Sequence, residues 1–230
     1  MNKISMLLVV LATAGLLSAC KAGAPGGSAV KDSSVRPDAS SGGASDATPD
    51  AGGSAGKSDQ PQIDYMRRGI DVNIKDGNDA LQKKDYDRAE KIFLVALSQC
   101  DLYIGQEARQ AAILNNLAAI YEEKEMYLQA VPLLTKAQKL FIRAFGRKNQ
   151  AVYITLGNLG RVLAKQHRWE ESANVYQTAV GLMEEDAKVV KSESYEEMLV
   201  KCGEAWEKAG NAFKANKINA KIKALKVPAK

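Results

Sequence analysis

The sequence predicts an all-α fold, a right-handed solenoid of about four antiparallel helix pairs. Three observations predict it. The phrase Leu114-Asn115-Asn116-Leu117-Ala118-Ala119-Ile120-Tyr121 returns further along as Leu156-Gly157-Asn158-Leu159-Gly160-Arg161-Val162-Leu163. A small residue, a ring, and two further small residues recur at fixed offsets along the chain. Composition confines this pattern to one segment, residues 62–230, long enough for a single domain. A fixed long period of paired helical patterns is the signature of units that stack on their neighbours.

Residues 1–61 lie outside that pattern. Lys3 supplies a positive start, Ile4 to Leu17 is mostly apolar, and Leu17-Ser18-Ala19-Cys20 closes the segment. The apolar run is shorter than the ~20 residues of a membrane span, so residues 1–19 read as an export signal. Residues 20–61 read as a tether. Between positions 21 and 61 there are 8 Gly, 8 Ala, 8 Ser, 5 Asp and 4 Pro, with no aromatic, Leu or Ile. Such a chain cannot bury enough apolar surface to offset its conformational entropy. Its r.m.s. reach is roughly 35 Å.

The units then follow in order. The first carries Gly77, Tyr86, Ala89, Phe93 and Ala96; the second Ala118, Tyr127, Ala130, Leu134 and Ala137. The third carries Gly160, Trp169, Ser172, Tyr176 and Ala179. A looser fourth carries Gly203, Ala212 and Ala215, with Trp206 where the second has Tyr121. Small residues let antiparallel helices approach, and large ones three or four positions away fill the flanking gaps. The first helix of unit two should place Leu114, Leu117, Ala118 and Tyr121 on one stripe. Its second helix should bury Ala130, Leu133, Leu134, Ala137, Leu140 and Phe141. Pro132 is expected near the first turn of that helix, where its missing N–H costs little. Gly105 and Gly146 are expected as helix C-caps. Cys100 in unit one and Cys202 in unit four, with two units between them, read as small buried hydrophobes rather than a disulfide.

This spacing resembles the tetratricopeptide repeat, whose usual unit is ~34 residues. Here Tyr86, Tyr127 and Trp169 mark a period of about 42 residues, closer to the longer unit of the kinesin light chain type. The Leu114–Ala118 phrase and the run from Ala137 to Gly146 are similar to that subtype. The resemblance covers about residues 63–226. The Leu17–Cys20 ending resembles the bacterial lipoprotein box. That implies cleavage before Cys20, a diacylglycerol on its sulfur, and acyl chains, palmitate among them, holding the protein at a membrane. Lys21 stands where an Asp retains relatives at the inner membrane, so the resemblance leans towards the outer membrane, periplasmic face.

For chemistry the chain offers little. The lone histidine, His167, falls in the turn of unit three and reads as a solvated loop residue. No Cys/His spacing for a metal, no Gly-rich phosphate loop, and no nucleophile beside a base is legible, so no catalytic residue, cofactor or small-molecule substrate is expected. The pairs Glu122-Glu123 and Glu184-Glu185 read as solvated helix faces. An exported chain whose lysines lack an aromatic platform is not expected to bind nucleic acid.

The family resemblance implies that the first helix of each unit lines the inner curve. The residues expected to project there are Asn78, Gln82, Asn115, Asn116, Glu122, Asn158, Arg161 and Lys165. A ladder of Asn can donate to and accept from an extended backbone, and the resemblance assigns the paired Asn that role. The alternative is that these Asn bridge neighbouring helices. Unit three has Gly157-Asn158 instead of two Asn, and the basic set of a carboxylate clamp is missing. From Lys201 to Lys230 there are eight Lys against Glu204 and Glu207. They read as a polar terminal cap, or, in a second reading, as a patch for anionic lipid or cell-wall polymer through Lys217, Lys221, Lys223 and Lys226. The expected work is that of an envelope adaptor: a lipid-tethered solenoid holding a segment of another envelope protein, with confinement raising its effective concentration.

Overall fold

Small-residue spacing and apolar periodicity do give helix pairs. The computed structural model describes residues 60–225, with side chains from residue 64. The expectations for the signal segment, Cys20, the tether, Lys226 and Lys230 therefore lie outside the described residues. Eight α-helices follow one another: α1 Gln60–Gln82, α2 Tyr86–Asp101, α3 Glu107–Glu123, α4 Tyr127–Phe145, α5 Gln150–Lys165, α6 Trp169–Glu184, α7 Glu193–Lys208 and α8 Ala212–Leu225. No strand occurs among the described residues, and a single 3₁₀ turn, Val189–Lys191, precedes α7. The helices pair as α1/α2, α3/α4, α5/α6 and α7/α8, and each pair packs on the next. Successive first helices touch, α1 with α3 and α3 with α5, more closely than successive second helices do. The first helices therefore line the inner side of the stack. No helix among the described residues is long and apolar enough to cross a membrane.

The repeated small residue works by contact with one particular ring. A Cβ built on Gly77 would lie 2.7 Å from the Phe93 ring, and one on Gly160 would lie 2.8 Å from the Tyr176 ring. In unit two the partner position holds Leu134, and the small residue is Ala118; both are buried. At Gly203 the nearest atom is the Asn219 amide oxygen at 3.0 Å, with Ile218 behind it at 3.5 Å.

The turn inside each pair is the same device four times. Lys84, Glu125, His167 and Gly210 have φ of 60°, 60°, 58° and 75°. The next residue's N–H reaches back five positions: Asp85 to Ala80 (3.0 Å), Met126 to Tyr121 (2.7 Å), Arg168 to Leu163 (3.0 Å) and Asn211 to Trp206 (2.9 Å). These are Schellman closures, which satisfy carbonyls left open at a helix end and ask for a left-handed residue. His167 is exposed at such a turn, its ring edge-on to Trp169 at 5.6 Å.

Several expectations need correction. Gly146 (φ 82°) caps α4, its N–H bonded to the Ile142 carbonyl, but Gly105 (φ 81°) sits in the loop after α2, whose cap is Leu102. Pro132 is the sixth residue of α4, in its second turn; it is exposed, and the carbonyl it leaves unbonded belongs to the equally exposed Leu128. Leu133 is half-buried at the margin of the core rather than inside it. Helix α3 buries far more than one stripe. Ala111, Ala112, Ile113, Leu114, Asn115, Asn116, Leu117, Ala118 and Ile120 are all buried, because α3 is enclosed by α1, α2, α4 and α5. Cys100 and Cys202 are free and buried, and burial pushes their thiols up to about 12 and about 11.

Candidate functional site: the inner face of the first helices

Enclosure of the first helices decides what the inner face can offer. Asn115, Asn116 and Asn158 are 5%, 0% and 4% exposed. Asn116 donates from Nδ2 to Asn78 Oδ1 at 2.7 Å, and Asn158 donates from Nδ2 to Asn115 Oδ1 at 3.1 Å. The Asn side chains thus run from helix to helix, α1 to α3 and α3 to α5. The expectation that these three stand open on the groove is corrected: they are buried, and the adjacent unit takes the Nδ2 hydrogens of Asn116 and Asn158, while Asn116 Oδ1 is buried without a hydrogen-bond partner. They set the register of the stack.

A second row of contacts joins the units by charge. Arg161 Nε and Nη2 meet the two Glu122 carboxylate oxygens at 2.7 and 2.8 Å, with Glu122 13% and Arg161 21% exposed. Arg109 makes the same two-pronged pair with Asp71 at 2.7 and 2.9 Å. Lys124 lies 2.7 Å from both Asp87 and Glu90, and Glu90 also accepts from Tyr121 at 2.9 Å. Lys221 pairs with Glu184, which accepts from Tyr195 at 2.7 Å. Each of these joins neighbouring units, and bidentate guanidinium–carboxylate geometry is the most directional form. Glu122 and Glu184 are therefore stitches between units rather than solvated faces.

These pairs shift the titration of their members. The hydrogen bond to Lys124 holds the Asp87 and Glu90 carboxyls below their usual range, and the two anions hold the Lys124 ammonium above its own. Burial pushes Glu184 up, but Lys221 and Tyr195 outweigh it, and the net direction is down.

Of the residues expected on the groove, Gln82 and Lys165 are exposed. Between α5 and α7 the inner face opens into a notch of about 40 Å³, lined among others by Ile154, Gly157, Arg161, Glu197, Met198 and Lys201. Gly157 lets Met198 close on one side of the notch: a Cβ there would lie 3.0 Å from Met198 Cε. Lys201 pairs with Glu197 at 2.5 Å on its rim. Sequence reasoning missed Ile154, Glu197, Met198 and Lys201. Gly157, standing in the register of Asn115, was the available signal. Of the C-terminal lysines, Lys214 lies 3.8 Å over the Trp206 ring and Lys221 pairs with Glu184, whereas Lys217 and Lys223 are exposed. Among the described residues no three His, Cys, Asp or Glu side chains gather as a metal site.

Known proteins share this fold. Residues 109–185 match the family model described as tetratricopeptide repeat. This segment is built of tetratricopeptide repeats. The solved structure of BtubC (BKLC) from P. vanneervenii is similar at a TM-score of 0.61 and 17% identity, over 70% of this chain and 66% of that one. A Podosopora anserina kinesin light chain protein with nearly identical TPR-like repeats is similar at 0.57 and 11%, over 72% and 85%. MamA of AMB-1 is similar at 0.51 and 19%, over 70% and 75%. At these identities the likeness is one of fold. No curated protein matches the sequence. The helix pairs continue on both sides of the matched segment, to α1 and α8.

Proposed function

We propose that this protein is an adaptor of the bacterial cell envelope. It holds a segment of another envelope protein against the inner face of its repeats, and a lipid on Cys20 tethers it to a membrane, with the outer membrane favoured by Lys21. Solenoids of this class present extended concave surfaces for protein partners. The observation that carries the groove reading is the notch at Gly157. It is a small opening on the inner face, where Gly157 lets the Met198 methyl come close, and it offers a partner segment the apolar Ile154 and Met198 beside the charged rim of Glu197 and Lys201. Anchoring rests on the Leu17-Ser18-Ala19-Cys20 motif.

The test uses the full chain in its own membranes, with a photo-crosslinking residue at Ile154 or at the outward-facing Leu94. A partner should be captured from position 154 and not from 94. Filling the notch by Gly157→Leu should lower that capture by about ten-fold, as a lost apolar contact of this size implies, with helix content unchanged. Equal capture from 94, or capture indifferent to Gly157→Leu, rejects the groove. Mass spectrometry should find an acylated Cys20 as first residue, and Cys20→Ser should release the protein from membranes; a variant that still fractionates with them rejects the anchor.

A further inference from the structure

One edge of the stack differs from the other. Because the helices of each pair are antiparallel, the start of α1, the ends of α2, α4, α6 and α8, and the loops between units share an edge. Contacts across it tie these parts together: Gln110 to Asp101 at 2.6 Å, Lys148 to Glu185 at 3.1 Å, and Lys221 to Glu184. At the unit-one end of this edge the loop Leu102-Tyr103-Ile104 protrudes. Ile104 is 98% exposed, Leu102 73%, and Tyr65 on the facing turn of α1 70%. Tyr65, Met66, Val72, Leu102 and Tyr103 border a cleft of about 790 Å³.

Register makes this unusual. Position 104 corresponds to Phe145 in unit two, which packs against the core. Ile104 instead stands out in solvent. On the opposite edge Leu128 is exposed with the less exposed Met126 near it and Phe213 is exposed in unit four, while Asp87 and Glu170 hold the matching positions in units one and three.

Charge is also uneven. Along the same edge, past the apolar tip, the exposed cations Arg143, Arg147, Lys148, Lys188, Lys191 and Lys223 outnumber the exposed anions Glu185, Asp186 and Glu193, with the Lys221–Glu184 pair neutral. At the apolar tip itself the exposed charges Asp64, Arg68 and Asp101 are mixed. Finally, the chain that precedes α1 joins the stack at this edge, beside Tyr65. An apolar tip next to a cationic strip, at the point where the N-terminal chain enters, is the pattern of a surface that lies on an anionic bilayer.

We propose that this edge docks on a lipid bilayer bearing anionic headgroups, with Leu102 and Ile104 entering the interface, Tyr65 at its level, and the cations of units two to four facing the headgroups. It extends the anchoring reading, which supplies the nearby bilayer, but the contact is made by the repeats themselves. The inner face then stands at right angles to the membrane and open along its length.

The test separates the two. The chain from residue 20 onward, carrying Cys20→Ser and so no lipid, keeps every helix of the stack. An environment-sensitive dye is placed on Ile104→Cys or, on the opposite edge, on Leu128→Cys; Cys100 and Cys202 are buried and do not compete. With vesicles of mixed phosphatidylcholine and phosphatidylglycerol, the dye at 104 should shift to the blue and the dye at 128 should not. The double variant Leu102→Asp/Ile104→Asp should partition about ten-fold or more weakly, given the apolar area lost, with an unchanged circular dichroism spectrum. Added salt should weaken binding several-fold without abolishing it. Absence of binding, an equal shift at 128, or a shift at 104 without vesicles, which marks a second copy as the occupant, overturns the proposal. Loss of Cys20 acylation in cells leaves this result untouched, and binding failure here leaves acylation untouched, so the two readings fall separately.

Discussion

Helices α1 and α3 hold the same place in successive units and are covered differently. In α3 the positions facing unit one are Ile113, Leu117 and Ile120, all at or below 1% exposure. The matching positions in α1 are Val72, Asp76 and Asp79, which no unit among the described residues covers, and all three are exposed. Two carboxylates there give the head of the described stack the polar face that a terminal unit needs for solubility. The described stack thus presents charge at its head. At its tail α8 buries only Ala215 and Ile218, and its lysines face solvent or cover Trp206 and Glu184. The same helical unit, then, is a core element or a cap according to three or four side chains. In the middle it is enclosed by four helices, and the Nδ2 groups of Asn116 and Asn158 are spent on neighbouring units.

The sharpest way to break this comparison is to enlarge a contact in the middle and at the end. Ala137 is fully buried, so Ala137→Leu should cost about 1–3 kcal/mol by overpacking. Gly160→Ala meets a ring wedged in the core and should cost similarly, whereas Gly203→Ala meets a movable Asn219 side chain and should cost much less. Denaturant melts of the three variants check this order; equal losses at 160 and 203 would mean that the end is packed as tightly as the middle.

Next in size is the amide row. Asn116→Ala should lower stability by about 1–2 kcal/mol, because it removes a buried hydrogen bond that joins unit two to Asn78 of unit one. Gln82→Ala, at an exposed position, should change nothing measurable. A neutral Asn116→Ala would return these side chains to the groove.

Acid should weaken the joints between units before it weakens the helices. The folded-state pKa values of Asp87, Glu90 and Glu184 are depressed, by Lys124 for the first two and by Lys221 and Tyr195 against burial for the third. Their stabilisation is therefore complete above the unfolded carboxyl value of about 4.3 and is lost as pH falls through the lower folded values. The melting temperature should be flat from neutral pH to roughly pH 5 and should fall steeply below about pH 4. Lys124→Met should flatten that fall. A variant with the wild-type acid slope would show that these pairs carry no part of it.

The smallest effect sharpens the comparison between turns. Units one to three force Lys84, Glu125 and His167 into the left-handed region where unit four uses Gly210. Glu125→Gly or His167→Gly should stabilise by a few tenths to about 1 kcal/mol, and Gly210→Ala should destabilise by about 1 kcal/mol. Thermal melts of single variants suffice, and a destabilising Glu125→Gly would reject the turn assignment.

The order of the helices was legible because the pairs repeat, and small residues at a fixed distance from rings can serve only close helix approach. His167 was legible as a turn residue, though nothing in its type announced a left-handed backbone, and Lys84 and Glu125 emerged at the matching turns only from the structure. The direction of the polar side chains was not legible. An Asn on a helix reads as exposed until it is known how many helices surround it, and α3 is surrounded by four. The same holds for Glu122 and Arg161, far apart in sequence and joined at 2.7 Å in space, and for Gly157, whose notch exists only because Met198 stands across from it. Periodicity along the chain determined by itself which residues form each unit and which faces are apolar. Only the tertiary structure decided which polar groups are consumed in joining the units and which are left to meet a partner, because that division depends on what the neighbouring unit presents at contact distance, and the period carries no record of it.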